Sequence, residues 1–79
     1  MAMSIPLNQL APAASGTIES IQAGQELRRR LAGLGLRSGI RVQVIRQSPL
    51  NGPMQIRIGH TDLIMRAADA AHIEVCPGP

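Results

Sequence analysis

No phenylalanine, tyrosine or tryptophan occurs in this chain, so any core it forms must be assembled from Leu, Ile, Val, Met and Ala. Aromatic side chains bury the largest areas per residue. Without them the core is shallow, and Met54 and Met65 serve as its adaptable fillers. At 79 residues the chain makes one domain, near the size at which a single core is just enough to fold unaided. A large internal active site does not fit in such a core. Cys76 is the single cysteine, so neither an internal disulfide nor a cysteine zinc framework is available, which suits a reducing compartment.

With so little apolar volume, the pattern of apolar residues decides the fold class. Leu27, Leu31 and Leu34 recur at i, i+4 and i+7, one stripe of an α-helix, with Arg28 and Arg29 turned away from it. Glu26 stands four residues before Arg30, the favourable order for a surface pair. Gly33 weakens the last turn, Gly35 can take the left-handed conformation that ends a helix, and Leu36 can then fold back onto the apolar face. Ser38-Gly39 supplies a second turn.

The rest of the chain reads as sheet. Pro6 to Leu10 is expected to lie extended on a sheet edge, where proline is tolerated, and Ala11 to Gly16 forms a loop. The first full strand is Gly16 to Gln22, in which Ile18 and Ile21 break alternation by one residue; a bulge near Ser20 restores both to the core. Ile40, Val42 and Val44 alternate with polar residues up to Arg46, and Gln47 to Pro53 is a loop marked by two prolines and Asn51-Gly52. Met54, Ile56 and Ile58 form the next strand, Gly59-His60 a type II′ hairpin turn, and Leu63 and Met65 the inner face of the returning strand. Ala67 to Ala71 makes one helical turn around Asp69, Ile73 and Val75 face inwards from a last strand, and residues 1–4 and 77–79 are expected to fray. Short strands, tight turns and one helix imply a mostly β fold: a small SH3-like β-barrel plugged by the helix.

The formal charge of +3 comes from arginines alone, since lysine is absent. Arginine is a good phosphate fork, but the stacking platforms of single-stranded nucleic-acid binders are missing with the aromatics, so no nucleic acid is expected. No apolar run approaches the ~20 residues that span a bilayer. The Ala-rich Ala11 to Ala14 segment lacks a basic region before it. A cytoplasmic protein without direct membrane insertion is expected.

No single stretch is specific, but the ordered set of residues is. Gly16-Thr17-Ile18, then Leu27 to Leu31 with Arg28 and Arg30, then Leu34-Gly35-Leu36-Arg37-Ser38-Gly39, resembles the FeoA family of ferrous iron transport accessory proteins. Gly52 to Gly59, Leu63-Ile64-Met65-Arg66 and Ala70 to Val75 resemble the closing half of the same family, so the likeness spans Leu7 to Val75. The resemblance implies an SH3-like domain in the bacterial cytoplasm, without enzymatic activity, acting on FeoB, a membrane ferrous iron transporter with a cytoplasmic GTP-binding part. It also implies an alternative, since similar modules form the C-terminal domain of some iron-dependent repressors: an SH3-like regulatory or peptide-binding module acting on an iron-dependent transcription regulator.

The residues themselves point to binding and away from catalysis. Gly33-Leu34-Gly35 ends a helix where a phosphate cradle would begin one, and no Gly-Lys-Ser or Gly-Lys-Thr follows. Ser4, Ser15, Ser20, Ser38 and Ser48 have no Asp and His in a recognisable arrangement. His72, Glu74 and Cys76 share one side of the last strand and are ligand types for iron or zinc, but a cysteine beside a loose end lacks the supporting shell of a firm site. No metal site and no cofactor are assigned. Arg28, Arg29 and Arg30 offer a basic face to an acidic partner or an anionic lipid headgroup, and Arg28 and Arg29, with Leu34, Leu36 and Arg37 of the helix-to-turn segment, are candidates for a partner surface. Leu50 in its loop and Ile64 on the outer face add exposed apolar area if Leu36 is half covered. Leu36→Asp is then expected to weaken docking without unfolding the domain. Open sheet edges allow self-association.

Overall fold

The computed structural model describes residues 3–78, so the expected fraying of residues 1, 2 and 79 lies outside the described residues. Six strands form one antiparallel sheet: β1 (Ile5–Pro6), β2 (Ser15–Ile21), β3 (Arg41–Gln47), β4 (Met54–Ile58), β5 (Thr61–Met65) and β6 (Ile73–Pro77). Their order is β1-β6-β2-β3-β4-β5. A helix, α1 (Gln25–Gly33), joins β2 to β3, and a single turn, α2 (Ala67–Ala70), joins β5 to β6. The end strands β1 and β5 are not paired with each other. The sheet still curls enough that Ile18, Val42, Ile56, Met65 and Val75 meet in one buried cluster.

Both elements of the curl follow from the strand sequences. Ile18 faces Val75 while Ser20 faces Glu74, so Glu19 is the extra residue of a bulge, and Ile18 and Ile21 both reach the core. A second bulge falls between Val44 and Arg46. The adjacent pair Val44-Ile45 marks it in the sequence, though alternation up to Val44 masks it. Gly16 sits where β2 is pinched between β3 and β6, opposite both Val42 and Pro77. A Cβ there would stand 2.9 Å from the Cys76 carbonyl oxygen.

Three expectations change. The edge piece expected to run extended from Pro6 to Leu10 is extended only over Ile5–Pro6, then tightens into a 3-10 turn over Leu7–Gln9. That turn repeats every three residues, so Leu7 and Leu10 both enter the core. The chain end is held as far as residue 78: Pro77 pairs with Gly16, the Gly78 amide donates to Ser15 at 3.0 Å, and Arg41 donates to the Gly78 carbonyl at 2.8 Å. Ser4 is likewise engaged, its hydroxyl donating to Glu74 at 3.3 Å. In the loop before β4 the turn is shifted one residue from the Asn-Gly pair. Leu50 (φ 59) and Asn51 (φ 57) are both left-handed, with Gly52 donating to Pro49 at 3.1 Å, a type I′ turn. Gly52 is there for space, since a Cβ would meet that of Ser48 at 2.8 Å.

The hairpin at Gly59-His60 is as expected. Ile58 pairs with Thr61, Gly59 has φ 58 and His60 is not among the residues of positive φ, the type II′ signature.

Candidate functional site

The end of α1 positions the candidate site. Leu34 is the C-cap residue, and Gly35 follows with φ 94. Gly35 donates to Ala32 at 2.9 Å and Leu36 to Leu31 at 3.0 Å, the paired bonds of a Schellman motif. The reversal exchanges the roles of two leucines. Leu36 is fully buried in the core beside Leu31, while Leu34, on the helical stripe, is 47% exposed. Leu36 is therefore no part of any surface, and an aspartate there would destroy the core, contrary to the expectation from the sequence.

Leu34 and Ile64 come together. Ile64 lies on the outer face of β5, 69% exposed, as strand alternation requires. With Leu31, Pro53 and Met65 the two line an open groove of about 450 Å³ between the end of α1 and the far end of the β4–β5 hairpin. Arg30, Arg66 and Asp69 complete its walls. Arg30 pairs with Asp69 at 3.3 Å, across to α2, in place of the expected pair with Glu26. Arg66 is exposed and forms no ion pair among the described residues.

The remaining candidates lie elsewhere. Arg28 and Arg29 line a second concavity with Gln25, and Arg28 and Arg37 line a third with Ile21 and Ser38. These share no residue with the apolar groove, so the basic face is a separate patch on α1 and its following turn. Leu50 is 98% exposed at its loop tip and lines none of the three. Of the groove's residues the sequence offers Leu34 and Ile64 as apolar candidates and Arg30 as part of a basic face, whereas Leu31, Pro53, Met65, Arg66 and Asp69 carry no local signal that assigns them to it.

Further along the outer face, Asp62 accepts from Arg57 at 2.6 and 3.0 Å and from Gln55 at 2.9 Å. The Arg57 hydrogen bonds hold the Asp62 carboxyl below its ordinary range, and Arg57 itself is raised. At the last strand the three ligand-type side chains are engaged separately or apart. His72 Nδ1 lies 2.9 Å from the Gln22 carbonyl, Glu74 accepts from Ser4, and Cys76 is half-buried. No three His, Cys, Asp or Glu residues converge as a metal site among the described residues. No helix among them is long and apolar enough to cross a membrane.

The FeoA domain family model matches residues 5–77. A crystal structure of an iron uptake regulatory protein, FeoA, superposes with TM-score 0.89 at 28% identity, covering 96% of this chain and 100% of that one. FeoA of Stenotrophomonas maltophilia in complex with zinc superposes with TM-score 0.76 at 29% identity, covering 94% of this chain and 89% of that one. It is described as a prokaryotic SH3 domain protein and a candidate ferrous iron transport activating factor. A manganese-dependent transcriptional repressor shares the fold alone, with TM-score 0.89 at 19% identity over 99% of this chain and 44% of the repressor. No curated protein matches by sequence.

Proposed function

The chain belongs to the FeoA family, associated with ferrous iron transport, and from that premise we propose that it docks on the cytoplasmic GTP-binding part of a FeoB-like membrane transporter and modulates its activity or assembly. The observation that carries this reading is the exposed apolar pair Leu34 and Ile64, set in a groove and flanked by Arg30 and Arg66. Apolar centres with arginine at the rim are typical of protein interfaces. Docking places the chain in the cytoplasm, beside the inner membrane through its partner alone. The basic patch of Arg28, Arg29 and Arg37 speeds encounter with an acidic surface by electrostatic steering.

The test is a pull-down with the tagged chain from detergent-solubilised membranes of its own bacterium, with GDP or a GTP analogue present. Recovery of a transporter with a GTP-binding part, lost with Ile64→Asp, supports the reading. Recovery of a soluble metal-dependent regulator in its place would move the assignment to a regulatory module.

A further inference from the structure

The two edges of the sheet are unlike. β1 is two residues long and contains Pro6, a blunted edge of the kind that prevents unwanted pairing. β5 has five residues, Thr61–Met65, with neither proline nor lysine, and pairs with β4 without a bulge. Its one charge, Asp62, is neutralised by Arg57.

The register shows which main-chain groups this edge presents. A two-residue turn makes Ile58 and Thr61 a hydrogen-bonded pair, and antiparallel bonding then alternates. Leu63 and Met65 bond to β4, opposite Ile56 and Met54. Asp62 and Ile64 therefore direct their N–H and C=O groups away from the sheet. The groove already described is lined by Ile64 and by Met65, neighbours whose side chains point to opposite faces of the sheet. It therefore passes the edge of β5, and the end of α1 forms its other wall.

An open strand edge facing a helix across an apolar groove is the geometry of strand addition, in which main-chain bonds provide affinity and alternate side chains provide specificity. We propose that the β5 edge takes an extended segment of the partner protein as a seventh strand, apolar at alternate positions and acidic at the position facing Arg66. Leu34 and Ile64 receive the apolar side chains. Charge complementarity selects the acid: of the groove's ionic groups Arg30 is already paired with Asp69, which leaves Arg66 in surplus. This inference rests on the docking reading above and adds its mode.

The Ile64 amide separates the two. Its N–H points off the sheet, so Ile64→Pro removes that donor at an edge position, where proline is tolerated. Ile64→Ala removes most of the same side chain and keeps the donor. The probe is the purified cytoplasmic GTP-binding part of the transporter, titrated against the unaltered chain and both variants, with amide exchange followed by NMR and the fold of each variant checked by circular dichroism. Strand addition predicts that Ile64→Pro binds about tenfold more weakly than Ile64→Ala, the loss of one hydrogen bond, and that the Asp62 and Ile64 amides become protected in the complex. Equal affinities of the two variants without amide protection overturn the strand mode and leave docking standing. Protection of the two amides in the free chain, rising with its concentration, shows that a second copy occupies the edge and overturns the proposal. No binding of the unaltered chain overturns the docking reading together with this inference.

Discussion

The Leu36 amide donates to the Leu31 carbonyl at 3.0 Å, and both side chains are buried in the same cluster. One backbone bond thus closes the helix and delivers a leucine, two residues past the helix cap, to the core.

Leu36→Ala is expected to cost about 2 to 5 kcal/mol, the range for truncating a fully buried leucine, and Leu36→Asp to abolish folding, because a buried unpaired carboxylate adds to the lost packing. Urea unfolding followed by circular dichroism measures the first. A Leu36→Asp chain that stays folded would contradict the burial.

Gly16→Ala tests the pinch between β3 and β6. The added methyl would stand 2.9 Å from the Cys76 oxygen and 3.3 Å from the Pro77 Cα, both main-chain atoms in a paired strand, so relief requires moving β6. A loss of about 1 to 3 kcal/mol follows, as for other overpacked sites, read as a lower denaturant midpoint at unchanged slope.

Leu50 offers the opposite sign. A leucine at φ 59 carries about 1 to 2 kcal/mol of left-handed strain, and at 98% exposure it gains no burial in return. Leu50→Asn, a residue that tolerates this conformation, is expected to raise stability by about 1 kcal/mol, or roughly 4 to 8 °C in Tm for a domain of this size. Because Leu50 is outside the groove, transporter binding by the same variant should be unchanged; weakened binding would enlarge the docking surface to the loop tip.

The Arg57–Asp62 pair gives a pH dependence. Hydrogen bonds from Arg57 hold the folded carboxyl below its ordinary value of 3.8, so its contribution is complete above that value and is lost as the pH falls through the lowered folded value. Asp62→Asn should therefore reduce stability at neutral pH and match the parent at the acid end, and added salt should shrink the difference because the pair is exposed. A deficit that persists at low pH would assign the effect to something other than charge.

Much of this molecule is legible in short stretches of its sequence. The glycine stop of α1, the Gly59-His60 hairpin, the bulge beside Ser20 and the inward-facing Met54, Ile56 and Met65 depend on conformations set within a few residues, where periodicity and glycine placement act directly. The ordered set of these signals also carried the family. The site was only half legible. Alternation placed Ile64 outside, but Leu34 and Leu36 exchange positions through a reversal whose outcome depends on what the core has room for, and local pattern treats both as apolar.

The remaining features belong to the tertiary structure. Arg30 turns to Asp69, 39 residues away, a partner that only the tertiary fold brings within reach of α1. Pro77 and Gly78 are held where composition suggests a loose end, since β2 presents bonding groups that the sequence of the tail does not record. The unequal edges of the sheet, and the groove that passes the open one, follow from strand order, which is decided by how six short strands cover one aliphatic core.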